Sequence, residues 1–338
     1  MKKSFKVLFL ACFVLLLSFP SYGGGRSDAG DGAQTINLVG GTMLPEGHVY
    51  WRTVQKFQER MAVNYTGPSR INISLHHSGT LGSERDATEF MIQGVAVDFY
   101  IISPAWIATW ERTAPIIDAP FLFRDQDHWR RVLEQGVLQP IEENVRNVGL
   151  RFLGYGGGSA RHLISRVPAN TVADFPRIRL RVQGSPVHQR AFSATGFQAT
   201  PLDYMEVYNA IATGVLDALE NEPAGLESMR YYEVAPYYVL TNHQIQTRIL
   251  AFSERRFQSF PRDVQEAILK SGEEAAAWHR ETEIAEAEQQ IADMVRNNGL
   301  RVIQFDNTEM LRLALPAVEE YAREIGAEHI VRAVQNVR

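Results

Sequence analysis

The chain has a single cysteine, Cys12, and it lies inside the apolar run VLFLACFVLLLSF near the N-terminus. Disulfides, cysteine-ligated metals and thiol nucleophiles are therefore excluded from the sequence beyond that run. Lysine is also scarce, so the basic residues are almost all arginine, the side chain suited to planar, two-pronged recognition of carboxylate or phosphate. Long apolar segments are missing as well. The N-terminal run covers residues 7–19, short of the roughly 20 residues that a membrane-crossing helix needs, and no later run is longer. Basic clusters are few, and 34 Lys+Arg against 39 Asp+Glu leave a net charge of −5. That balance argues against nucleic acid as a partner.

Lys2, Lys3 and Lys6, the apolar run and PSYGGG follow one another in the order of a secretory signal peptide. We expect residues 1–24 to be that signal, residues 25–34 to be a flexible mature N-terminus, and the protein to be exported. Cleavage removes the only thiol, whereas lipidation at Cys12 would leave FVLLLSF on the mature chain. The remaining length exceeds the roughly 250–300 residues that one hydrophobic core usually serves, which favours two lobes.

TINLVGG begins the ordered chain as a strand, and Tyr50, Val54, Phe57 and Met61 then recur at helical spacing. RINISLHHSG alternates, with Ile71, Ile73 and Leu75 on one face. GSERDATEFMIQG reads as a helix capped by Ser83, VAVDFYIIS as a buried strand, residues 125–149 as a helical stretch and LRFLGYG as a strand. This alternation predicts an α/β fold with a largely parallel sheet. After Ser165 the pattern restarts with the strand RIRLRV, helices around SPVHQRAFSATG and YMEVYNAIATG, and a strand at ALEN. Two α/β lobes meeting near residues 154–161 fit this order. A long helix is expected from Pro261 to the cap Asn297-Asn298-Gly299, long enough to run across both lobes.

LGYGGGSAR lacks the G-x-G-x-x-G spacing, an acidic residue about 20 positions on, and a Walker lysine. It reads as backbone crossing between lobes, and no cofactor is expected. His76 and His77 are adjacent and face opposite ways on a strand, and no H-x-x-x-H pair exists, so no metal site is expected. There is no G-x-S-x-G elbow for a serine nucleophile. Trp106 and Trp110 read as core packing, with the alternative that one of them walls a pocket. Arg177, Arg179 and Arg181 alternate along RIRLRV, which places three guanidinium groups on one face. Pro176 marks the strand entrance, so Arg177 and Arg179 are expected at the surface, solvated or paired. Arg181 is deepest, and a guanidinium on a rigid strand can hold a carboxylate through two parallel N–H donors.

The stretch RLRVQGSPVHQRAFSATGFQATPLDYMEVYNAIATGVLDALENEP resembles the central region of the substrate-binding subunits of TRAP (tripartite ATP-independent periplasmic) transporters. Leu180-Arg181-Val182, GFQATPLDY, Glu206-Val207-Tyr208, Thr213-Gly214, Asp217 and Glu220-Asn221 match its motifs, and upstream HHSGTLGSERDATEFMIQGVAVDF and APFLFRDQDHW are similar to further ones. Two departures stand out: Gln183 replaces the usual proline after L-R-V, and Glu222 is added between Asn221 and Pro223.

The resemblance implies a two-lobe, type II-like periplasmic binding protein with a hinge, a ligand cleft and a long helix crossing both lobes. Lobe I would comprise 35–156 and 245–286, and lobe II 157–244 and 287–333. It also implies a monomer that captures an organic acid in the periplasm, performs no chemistry on it and delivers it to TRAP membrane permease subunits, with a periplasmic helical-repeat partner left open. Carried over by position, Arg181 would clamp the ligand carboxylate, Arg161 would be a second ligand-facing arginine, Asn221 and Tyr204 would line the site, and Trp106 would stand at its edge. The aromatic content tilts the ligand toward an apolar body. Two alternatives compete: an exported enzyme using Glu206, Glu220 or His162 as acid or base, and a ligand sensor not coupled to transport.

Overall fold

The computed structural model describes residues 35–338; the expected signal peptide (1–24) and flexible N-terminus (25–34) lie outside the described residues. In chain order the strands are β1 (Thr35–Gly41), β2 (Arg70–His76), β3 (Phe99–Ile102), β4 (Leu150–Ser165), β5 (Arg179–Val182), β6 (Gln198–Pro201), β7 (Ala218–Asn221), β8 (Tyr237–Ser253) and β9 (Arg301–Gln304). They form one sheet in the order β2-β1-β3-β8-β4-β7-β5-β6, with β9 alongside β8. The architecture is the expected α/β one with two lobes: β1, β2 and β3 make one wing, β5, β6 and β7 the other, and the long β4 and β8 run between them.

The expectation of a largely parallel sheet needs correction. Pairing is parallel within each wing, where helices supply the crossovers that parallel neighbours require. At the centre β3 with β8, β8 with β4, and β4 with β7 are antiparallel, because β4 and β8 traverse the sheet in opposite directions.

Among the described residues, eleven α-helices cover the sheet and its ends: α1 (Val49–Asn64), α2 (Glu84–Gln93), α3 (Gln126–Glu134), α4 (Gln139–Asn147), α5 (Pro186–Ala194), α6 (Val207–Ala212), α7 (Pro223–Ser228), α8 (Glu254–Gln258), α9 (Arg262–Asn298), α10 (Thr308–Glu324) and α11 (Glu328–Asn336). Tyr50, Val54, Phe57 and Met61 form the buried stripe of α1 as their spacing predicts. Ser83 caps α2 in a full capping box with Asp86, which satisfies two otherwise orphaned N-terminal amides. The stretch 125–149 divides into α3 and α4, with Gly136 at φ 66° between them.

Helix α9 has 37 residues and ends at Gly299 in the left-handed conformation, φ 73°. It packs on α1 in one wing, on β4 at the centre and on α7 in the other, as its length led us to expect. The glycine cluster is the reason it can lie so close. A Cβ on Gly156 would stand 2.2 Å from His279 Nδ1, and one on Gly154 would stand 2.7 Å from Ala276 Cβ. Gly157, at φ 93°, sits where β4 slips register against β8. LGYGGGSAR is thus a crossing inside one continuous strand, where the sequence suggested the end of a shorter one. No helix among the described residues is long and apolar enough to cross a membrane.

Candidate ligand site

RIRLRV does not put three arginines on one strand face. Arg177 ends a 3-10 turn, Val172–Arg177, and is exposed. Arg179 opens β5 and pairs two-pronged with Asp217, Nε to Oδ2 and Nη2 to Oδ1, each at 2.7 Å. Arg181 is different. It is 1% exposed, its Nε donates to the Leu202 carbonyl at 2.9 Å, and its guanidinium carbon lies 5.4 Å from the Tyr204 ring centre. Among the described residues no carboxylate comes within salt-bridge distance of it. Burial lowers its pKa, a pull that Glu220 only partly opposes.

Arg181 faces a cavity whose wall also includes Met43 and Leu44 after β1, Tyr50 of α1, Glu84 of α2 and Trp106 beyond β3. The opposite wing contributes Gln183, Tyr204, Asn221 and Glu222, and the central strands β4 and β8 contribute Arg161 and Arg248. All five residues expected at the site therefore meet at one cavity between the wings.

Arg161 reaches that wall, but not as an open anion site. Its Nε donates to Glu220 Oε2 at 2.6 Å and its Nη2 to the Glu220 carbonyl at 2.7 Å, while Nη1 donates to Glu222 Oε2 at 2.8 Å and to Gln246 Oε1 at 2.6 Å. Arg161 thus lines the cavity with four of its five N–H donors taken by protein acceptors. Burial pushes the Glu220 carboxyl up, but Arg161 and a hydrogen bond with His243 outweigh it and hold it well below the usual carboxylate range. Arg248 is similarly engaged, with Asp118 Oδ2 at 3.2 Å and the Tyr50 hydroxyl oxygen accepting from its Nε.

The remaining expected residues are fixed by close packing. Asn221 Nδ2 donates to the Tyr204 hydroxyl at 2.6 Å, so the added Glu222 leaves Asn221 in the wall. Gly225 makes this possible, since a Cβ there would lie 2.1 Å from Asn221 Nδ2. Trp106 is partly buried on the 3-10 turn Pro104–Thr109 and rests on Gly184 of the facing wing, where a Cβ would come 2.3 Å from its ring. It is a pocket wall, the alternative reading of the tryptophans. Sequence reasoning missed Glu84, Gln183 and Arg248 as site residues. Glu84 is 4% exposed, accepts the Ser103 N–H at 2.8 Å, and is raised by burial to a pKa of about 6 despite the opposing pull of Arg248.

The residues suggested for acid–base chemistry do not assemble. Glu206 is exposed, His162 Nδ1 accepts the Asn242 N–H at 2.9 Å, and Glu220 is held by Arg161. None of the three belongs to the cavity wall. No cluster among the described residues has the make-up to hold a metal ion.

The model of bacterial extracellular solute-binding protein family 7 (DctP) matches residues 40–325. This chain belongs to that family. A solute-binding protein of Sulfitobacter sp. NAS-14.1 is 39% identical over 305 residues, covering 90% of this chain and 92% of that one. A crystal structure of a TRAP periplasmic solute-binding protein from Sulfitobacter sp. NAS-14.1, with bound α-D-taluronate, matches at TM-score 0.84 and 38% identity over 90% of this chain and 98% of that one. Another, from Roseobacter denitrificans with bound β-D-glucuronate, matches at TM-score 0.84 and 26% identity over 90% and 100% of the two chains. The chain is a substrate-binding subunit of the TRAP type, and its family is one of binding proteins and not of enzymes.

Proposed function

We propose that this solute-binding protein captures a single-ring sugar acid of the hexuronate class and holds its carboxylate on Arg181. The observation that carries this reading is a guanidinium 1% exposed, on a rigid strand, facing a cavity without an acidic partner of its own. Burying a charge unpaired is costly, and a ligand carboxylate removes that cost with two charge-assisted hydrogen bonds.

The cavity lies between the two wings, the kind of inter-lobe position at which small-molecule sites are preferentially built. Its wall turns around the tilt toward an apolar body. Glu84, Gln183, Asn221 and Glu222 offer acceptors and donors to hydroxyl groups, and Trp106 and Tyr204 offer ring faces. The taluronate and glucuronate bound by the two solved relatives support the same class.

On this reading Arg181 and Trp106 are direct contacts, Asn221 and Tyr204 act as one hydrogen-bonded unit, and Arg161 organises the wall. The two lobes comprise 35–156 with 245–286 and 157–244 with 287–333. They close about β4 and β8, and the acid leaves unchanged for a TRAP permease in the membrane. The protein is exported to the periplasm after signal cleavage and works as a monomer.

The test is mass spectrometry of small molecules released on denaturation, followed by calorimetric titration with D-glucuronate. Arg181→Ala should weaken binding by about 30-fold or more, since breaking a buried charge-assisted pair costs roughly 2–5 kcal/mol. Unchanged affinity in the variant would overturn the assignment.

A further inference from the structure

We propose that Glu222 makes this cavity selective for acids with a single carboxylate, by neutralising Arg161 and leaving Arg181 as the guanidinium open to a ligand anion. This rests on the proposed hexuronate reading and deepens it.

Three arginines reach the wall, and three anion sites would suit a dicarboxylate well. Their partners decide otherwise. Arg161 meets two carboxylates, Glu220 at 2.6 Å and Glu222 at 2.8 Å, with all three side chains at most 2% exposed. One guanidinium between two carboxylates is a cluster with negative excess and not an anion site. Arg248 faces Asp118 at 3.2 Å. Glu84, with the Ser103 N–H as its hydrogen-bond donor, adds another carboxyl group to the wall.

A hexuronate anchored on Arg181 would turn hydroxyl groups toward these acids and donate hydrogen bonds to them. A hexarate, the same carbon chain with an acid at both ends, would set its second carboxylate against Glu222 or Glu84. Two like charges several Å apart in a protein cleft repel by enough to cost a factor of roughly ten to a hundred in affinity.

The test compares D-gluconate with D-glucarate, open-chain acids that differ only in whether the far carbon is a hydroxymethyl or a carboxylate, with D-glucuronate as reference. Titrations use the wild-type protein and the isosteric variant Glu222→Gln. The wild type should bind gluconate at least about tenfold more tightly than glucarate. Glu222→Gln should raise glucarate affinity by a similar factor, and a cooperative thermal unfolding transition shows that the variant is folded. Glucarate binding to the wild type as tightly as gluconate, or glucarate affinity no higher in the variant, overturns the proposal even where glucuronate binding upholds the hexuronate reading. Failure of the wild type to bind any of the three acids removes both.

Discussion

The Ser103 hydroxyl donates to Gln183 Oε1 at 2.7 Å, and the Gln183 amide nitrogen donates to Asp118 Oδ2 at 3.4 Å. Ser103 follows β3 in one wing and Gln183 follows β5 in the other, so this buried pair bridges the cleft next to the Trp106–Gly184 contact. Gln183 stands where the resembled motif has proline, a residue with no side-chain hydrogen bond to offer.

That bridge should hold the closed state. A net hydrogen bond contributes roughly 0.5–1.5 kcal/mol, and stranding a buried partner costs about 1–3 kcal/mol. Any loss in the closed population lowers apparent affinity in proportion. Gln183→Ala is therefore expected to weaken binding of the sugar acid by about 3- to 30-fold, mainly through faster release. Stopped-flow fluorescence, with Trp106 as reporter, would read the dissociation rate. A rate equal to that of the wild type would show that the bridge forms without holding the lobes together.

Glu84 supplies a pH dependence whose sign can be worked out. Burial raises its folded pKa from the ordinary 4.5 to about 6, so the folded state favours the protonated form. Its favourable contribution is present in full below about 4.5 and is lost as pH rises through about 6, leaving a cost of about 2 kcal/mol at neutral pH. Glu84→Gln keeps an acceptor for the Ser103 N–H and removes the titration. The ligand-free variant should melt a few degrees above the wild type at pH 7.5, and the gap should close near pH 4.5. Thermal unfolding across that range reads it directly, and a gap constant with pH would assign the titration to another group.

Much of the frame was legible because local rules decided it. The apolar spacing of α1, the Ser83 cap, and the Pro261 and Gly299 ends of α9 all depend on residues a few positions apart. Strand β8 was not legible, because Thr241, His243, Gln244, Gln246, Thr247 and Arg248 are all buried along it and break the apolar pattern by which a buried strand is read. Several of those polar groups find partners far away in sequence, such as Asp118 and Tyr50. The site shows the same division. Arg181 stood out through its strand and its motif, whereas the occupation of Arg161 by Glu220 and Glu222 spans 59 and 61 positions. The one local sign of it was the pair of acids flanking Asn221.

Gly225→Ala separates a role in the site from a role in the fold. In the first turn of α7 alanine should by itself favour the helix by about 1 kcal/mol over glycine. The new Cβ would however lie 2.1 Å from Asn221 Nδ2 and 2.9 Å from Glu222 Oε1, far inside contact distance. Asn221 must then move, and its 2.6 Å bond to the Tyr204 hydroxyl is the interaction lost. Helix gain and clash oppose each other in stability, so melting should change little, while both affected side chains belong to the cavity wall. Affinity for D-glucuronate should fall by about tenfold, the equivalent of one net hydrogen bond at roughly 1–1.5 kcal/mol. Calorimetry beside thermal unfolding distinguishes the cases: full affinity with unchanged melting would show that Asn221 lines the cavity without contacting the ligand, and a parallel loss of both would place its role in the fold.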